Sequence, residues 1–463
     1  MLLSFRVANH RSLREEQELN LRPVYDKVET ALPVAAIYGG NAAGKSNLLD
    51  AFRYMREMVR PGRAFRPEEV PFRTPFRLDP SASTEESSYV VDLRLGDVLY
   101  NYGFAVDDEQ VTEEWLFAYP QGRKRLLFER SESGVSVGSG VQGWRALQTL
   151  ANKTQPDRLV LSGVAQFKAP EWEPVASWFK SGLSVPRLTG SVSSAATAFE
   201  QHPELAGLLS VADVGIREVI VEERALAWPK VNDQNLALLQ TEIADQRLIE
   251  AERRIGEESA GGSAEQESIA LQRIKEHFSA ILARTTGYHL LFYHNRSAAP
   301  LSLDEQSDGT VRFIHFMAEV LDALKQGKTL LVDEIEASLH PRLLFRVIEL
   351  FRDERTNTGG GQLVFTTHDT SLLGTSFGEP VLHRDEVWFT EKDENGQTKL
   401  FPLSEFKPRK GRTRNGATSA AVMARSPPCS PIRWWTPCWR LARHRNRWRA
   451  GEPAVAGHVN RPD

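Results

Sequence analysis

The chain has 463 residues, 41% hydrophobic and 25% charged, which is too long for a single small module and too ordinary in composition for a disordered, collagen-like or disulfide-framework protein. Its formal net charge of −4 is uneven: residues 411–463 hold ten Arg and only Glu452 and Asp463 as acids, so residues 1–410 carry −12. Both cysteines, Cys429 and Cys438, fall in that last segment, no apolar run approaches a membrane span, and the N-terminus reaches charge too soon for a secretory segment; a cytoplasmic protein without a membrane partner is expected.

Leu2–Asn9 reads as a short strand, and Val34–Tyr38 as a buried strand that stops at Gly39-Gly40. From Ser46 to Val59 the apolar residues Leu48, Leu49, Phe52, Met55 and Val59 recur at helical spacing, so the order is strand, glycine turn, helix. The Pro- and Arg-rich stretch from Arg60 to Pro80 reads as a loop. Strand-like runs at Ser88–Leu95, Val98–Val106, Glu114–Tyr119 and Arg125–Arg130, separated by turn clusters such as Asp107-Asp108 and Pro120-Gln121-Gly122, predict an antiparallel meander. Residues 143 to about 210 read as mixed and mostly helical.

Between Asn235 and Arg284 two helical stretches flank Gly261-Gly262. The second carries Leu271, Ile274, Phe278 and Ile281 on a short heptad seam, either an arm that grips a partner or, as its shortness favours, a helical hairpin packed on its own core. Beyond Leu301 the pattern predicts a helix over Thr310–Lys325, a strand Thr329–Val332, a helix Pro341–Arg352 with proline in its first turn, and a strand Gln362–Thr366. This alternation argues for a mostly parallel sheet.

The segment Gly39-Gly40-Asn41-Ala42-Ala43-Gly44-Lys45-Ser46 matches G-x-x-x-x-G-K-[ST], and with Asn47 it sits after a strand and opens a helix, where a phosphate loop must be. Small residues let backbone N–H groups wrap a β-phosphate, Lys45 reaches the β- and γ-phosphates, and the Ser46 hydroxyl suits Mg²⁺. The strand Leu330-Leu331-Val332 delivers Asp333 and Glu334 at its C-terminal end, Asp333 to hold Mg²⁺ through its water shell and Glu334 to polarise an attacking water. His368, after Phe365-Thr366-Thr367, stands at the next strand end and is expected to contact the γ-phosphate. Ser307 and Gly309 precede an amphipathic helix and form an anion site. One nucleotide at Lys45 does not need a second cradle in the same subunit, so this site is assigned to a partner's nucleotide, which implies a dimer.

These segments, in this order, resemble ABC-class ATPases of the SMC and RecF type: phosphate loop, signature helix, acidic strand, Ser338-Leu339-His340-Pro341 as the D-loop, and His368 as the switch histidine. The 288 residues from Lys45 to Asp333 suit such a head with an inserted domain. More narrowly, Phe5–Ser12, Asp333–Pro341, Gln362–Asp369 and Arg384–Phe389 look like stand-alone bacterial AAA/ABC ATP-binding proteins, a family found in phage-defence and abortive-infection operons and including the ATPase component of the PARIS system. The resemblance implies an α/β, ABC-type P-loop NTPase head with an antiparallel β-subdomain and an inserted helical domain. It is divided as an N-terminal lobe (1–140), a mostly helical insert (141–300) and a C-terminal lobe (301–410). It further implies ATP and Mg²⁺ as cofactors, a homodimer or higher oligomer through the nucleotide sites, and an effector protein from a neighbouring gene.

Three features depart from the family pattern. Ala42-Ala43 stand where relatives commonly carry another glycine, which requires both to keep negative φ. No Gln occurs between Ser46 and Gln110, so the γ-phosphate-sensing glutamine is assigned to Gln166. Residues 411–463 abandon every pattern, with Arg, Pro and Trp accumulating. Back-translated with GC-rich codons and read from the last base of the Gly411 codon, Arg412–Pro427 can give, among the readings codon degeneracy allows, a Tyr-Leu-x-Gly-Arg-Tyr-Gly-Ala-x-Pro ending, which resembles the usual ending of the family, so the tail is expected to be an out-of-frame and mostly disordered translation. The functional expectation is an ATP-hydrolysing, nucleotide-gated dimer in phage defence. The alternative is a DNA repair or recombination head, for which Arg56, Arg60, Arg63, Arg66, Arg73 and Arg77 are the basic concentration and the −12 body is unfavourable.

Overall fold

In the computed structural model, which describes residues 1–25, 31–60, 72–163, 169–186, 192–211, 215–225, 286–294, 299–337, 339–373 and 381–405, these segments fall into two units. One unit is Met1–Leu188 with His315–Asp463, the other Thr189–Ile314. Gln166, Ser338, the seam from Leu271 to Ile281, Arg63, Arg66 and residues 411–463 lie outside the described residues.

In the first unit β1 (Leu2–Ala8) pairs antiparallel with β2 (Gln17–Asn20), and β3 (Val34–Gly39) feeds α1 (Lys45–Val59). The expected meander follows as β4 (Ser87–Leu95), β5 (Val98–Val106), β6 (Val111–Tyr119), β7 (Arg125–Ser131) and β8 (Gly134–Val137), in a seven-stranded sheet of order β2-β1-β4-β5-β6-β7-β8. Next come α2 (Trp144–Ala151), α3 (Glu173–Ser177) and β9 (Leu183–Ser184), so residues 141–188 group with the first unit. The second unit contains α4 (Val192–Gln201), α5 (Leu205–Val211) and an antiparallel ribbon of β10 (Ile216–Ala225) and β11 (Thr286–His294). Helix α6 (Asp308–Gln326) crosses the boundary, and β12 (Thr329–Val332), α7 (Pro341–Arg352), β13 (Gln362–Thr367), β14 (Val387–Lys392) and β15 (Thr398–Pro402) complete the first unit.

The second sheet has the order β15-β14-β3-β13-β12-β9, parallel throughout except for β15. The unbroken apolar runs of β3 and β12 and the wholly buried β13 suit strands covered on both faces. Register sets their ends level: Thr367 lies opposite Tyr38, and Val332 opposite Phe365. Residues just past β3, β13 and β12 therefore share one rim. The fold is a mixed α/β P-loop architecture carrying an antiparallel subdomain, as the sequence predicts.

Helix α1 turns Leu48, Leu49, Phe52 and Met55 into the core, where the Phe52 ring stacks on Phe5 of β1 at 3.7 Å between centroids. Gln362, wholly buried at the start of β13, accepts from Leu2 N and donates to Leu2 O and Leu32 O, stitching β1 to the parallel sheet. Strand β6 begins at Val111, three residues before the predicted Glu114. Glu114 is a buried carboxylate that accepts the N–H groups of Val160 and Leu161 and the Tyr102 hydroxyl, so a charged residue sits within the strand. Burial pushes its pKa up to about 7 against the opposing pull of those bonds.

Candidate nucleotide site

The phosphate loop forms where β3 ends. Gly39 lies so close to Thr390 of β14 that a Cβ there would collide with its hydroxyl and carbonyl, whereas one at Gly40 would meet open space. Gly44 has φ of 100°, a conformation natural to glycine, and a Cβ on it would also strike Thr398 and Ser12. The expectation of negative φ through Ala42-Ala43 is corrected: Ala42 sits at 62°, in the left-handed region. The loop has to reverse at this point, and alanine accepts a steric cost of about 1–2 kcal/mol to do so.

A hydrogen-bond chain straps the loop in place. Asn47 Nδ2 donates to Ser12 Oγ at 2.6 Å, Ser12 pairs with Thr398 Oγ1 at 2.7 Å, and Thr398 donates to Ala43 O at 3.0 Å. Asn41, Ala42 and Ser46 are exposed, whereas Ala43, Gly44 and Lys45 between them are buried.

Lys45 is buried, and its ammonium donates to Gly39 O at 2.9 Å, to Gly40 O at 3.2 Å and to Nε2 of His368 at 3.0 Å. An ammonium has only protons to offer, so the imidazole nitrogen must be an unprotonated acceptor. Burial draws the lysine pKa below its ordinary value, opposed by the fields of Glu336, Glu334 and Asp333, in that order. His368 and Lys45, 323 residues apart in sequence, are thus in direct contact.

At the end of β12, the Thr366 hydroxyl donates to Asp333 Oδ1 at 2.6 Å and accepts the Glu334 N–H at 2.7 Å. Glu334 is exposed and has φ of 47°, a strained value for a residue with a side chain. Glu336 Oε1 accepts the His368 N–H at 2.7 Å, and its second oxygen is buried with no hydrogen-bond partner among the described residues. Thr366 and Glu336 were not among the residues predicted from sequence. The only sequence signal for Glu336 is a third acid two positions beyond Glu334.

Ser307 and Gly309 belong to the other unit and are exposed. Ser307 Oγ accepts the Thr310 N–H at 3.1 Å and pairs with Thr310 Oγ1 at 2.9 Å, acting as the N-cap of α6. A Cβ on Gly309 would meet only Ser307 Oγ, at an ordinary contact distance. In the D-loop segment, His340 caps α7 by accepting the Arg342 N–H. Of the arginines considered for nucleic acid, Arg73 is buried and spent on structure: it pairs with Asp108 and donates to the carbonyls of Ser83 and Glu85.

The rim residues fit a magnesium triphosphate. No three His, Cys, Asp or Glu side chains converge as a metal cage among the described residues, and Mg²⁺ commonly uses one or two protein oxygens together with phosphates and water. Ser46 and Asp333 are the residues that would hold it. No helix among the described residues is long and apolar enough to cross a membrane.

A family model described as "AAA domain, putative AbiEii toxin, Type IV TA system" matches residues 34–147 and 203–374, more than half of the chain. No curated protein was found to match. Among solved structures, the Smc head bound to the C-winged helix domain of ScpA is similar at 13% identity and a TM-score of 0.37, covering 87% of this chain and 97% of that one. An Smc head domain with a coiled coil and joint derived from Pyrococcus yayanosii is similar at 12% identity and 0.33, covering 87% and 99%.

Proposed function

The chain belongs to the AAA-domain family whose model it matches, and on that premise we propose that it binds Mg²⁺-ATP and hydrolyses it as an ABC-class ATPase. The observation that carries this reading is the contact of Lys45 with His368 on the same rim as Asp333 and Glu334. The loop amides and Lys45 would bind the phosphates, Ser46 and Asp333 the metal, and Glu334 would orient water for in-line attack while His368 contacts the γ-phosphate. Bound Mg²⁺ supplies charge neutralisation at the phosphates. Gly39–Asn47 form the nucleotide cradle, and the exposed Ser307 and Gly309 of a second copy would close it, making turnover a property of a dimer.

We further propose that the ATP-gated dimer serves bacterial phage defence with an effector protein. The family description names a toxin–antitoxin system, a two-component arrangement, which supports a role as one half of a pair. The DNA-repair reading is weaker, because Arg73 is committed to the fold and the first 410 residues carry −12. The test is calorimetry, turnover and light scattering on purified protein. Lys45→Ala should abolish nucleotide binding, and Glu334→Gln should retain binding, lose turnover and accumulate an ATP-dependent dimer. Wild-type turnover in Glu334→Gln would refute the role given to that carboxylate.

A further inference from the structure

His368 is held from two sides. Its ring meets the Lys45 ammonium, and its backbone N–H, the first amide beyond the β13 ladder, is received by Glu336 Oε1 at 2.7 Å. The two ties differ in fate if the site works as proposed above. A triphosphate draws Lys45 onto its own oxygens, so the ring contact is given up when the substrate arrives, while the backbone tie to Glu336 remains. Glu336 lies in the 3₁₀ turn Ile335–Ala337 directly after Glu334, so it connects the histidine to the turn that carries the candidate water-orienting carboxylate.

The other Glu336 oxygen is a buried acceptor without a partner among the described residues, an arrangement that is costly unless something else requires it. A helix-capping or surface glutamate would be solvated. We propose that Glu336 is a positioning residue: it fixes His368 to the acidic strand end so that imidazole and Glu334 meet the γ-phosphate as one unit. This deepens the ATPase reading and rests on it. It does not make Glu336 a catalytic residue, because it acts through the His368 backbone and touches no substrate.

The test is a double-mutant cycle with steady-state ATPase kinetics and calorimetric nucleotide affinity. Wild-type turnover is measured first, and its absence would overturn the ATPase reading itself. Given turnover, Glu336→Ala should lower kcat between about tenfold and a hundredfold, the scale of a misplaced reacting group, with nucleotide affinity unchanged or tighter because a negative charge has gone. Glu336→Gln keeps the acceptor oxygen and should stay within about threefold of wild type. In a His368→Ala background, Glu336→Ala should cause no further loss. If Glu336→Ala does not fold, Glu336→Asp, one methylene too short to reach the amide but equally charged, takes its place with the same expected loss of kcat and with nucleotide affinity unchanged. Wild-type kcat in the short variants, or losses that multiply with His368→Ala, would overturn the assignment while leaving the ATPase reading intact.

Discussion

Thr366 is the most informative single position, since one hydroxyl serves two residues of the site. Thr366→Val keeps the shape and the strand propensity but removes the donor to Asp333 and the acceptor for the Glu334 N–H. A hydrogen bond to a charged group contributes about 1.5–3 kcal/mol, and an amide left unpaired costs about 1–3 kcal/mol. Asp333 is half-buried, so water can take over part of its lost bond, and a total near 2 kcal/mol is expected, roughly a thirtyfold shift in the folding equilibrium. Turnover should fall further than stability implies. Glu334 is held at φ of 47° partly by this amide contact, and without it the residue can relax toward ordinary negative φ and carry its carboxylate off line. Urea unfolding and ATPase assays on Thr366→Val and Thr366→Ser separate the two effects. Serine restores the hydroxyl and should recover both most of the stability and most of kcat. A valine variant with wild-type kcat, or a serine variant as damaged as valine, would refute the reasoning.

Ala42→Gly should raise stability by about 0.5–1 kcal/mol, the left-handed penalty of alanine less the extra freedom of glycine in the unfolded chain, read as a higher Tm; an unchanged or lower Tm would contradict the conformation at this position. Glu114 gives a pH-dependent prediction. Its folded pKa, near 7, lies above the ordinary carboxylate value, so the folded state binds the extra proton, and the stability this contributes is full below about pH 4.5 and is lost as pH rises through 7. Between pH 5 and 8 the wild type should therefore lose about 2–3 kcal/mol relative to Glu114→Gln in parallel urea titrations, and parallel pH profiles for the two proteins would refute it.

What could be read in advance follows from the range of the interaction involved. The phosphate loop, the acidic strand end and the helices α1 and α7 are written in local spacing, and their bounds fall within a residue of the prediction. Thr366 could not be found that way, because its role is created by the parallel register that sets Val332 beside Phe365, more than thirty residues away. Glu336 was hidden for the same reason: its partner is an amide at the end of the neighbouring strand. Ser12 and Thr398 are further apart still, yet they secure Ala43 and Asn47 through three hydrogen bonds. Glu114 falls within its predicted strand, but its interior role could not be read from spacing, because the two backbone donors that meet its carboxylate come from Val160 and Leu161, more than forty residues away. Ala42 shows the limit of motif matching itself. The pattern tolerates alanine at this position, but the loop's path fixes φ at 62° and the side chain bears the consequence. The rim therefore combines locally encoded phosphate chemistry with second contacts that only the order and register of β3, β13 and β12 bring into being, and those second contacts are where substitutions most sharply separate binding from turnover.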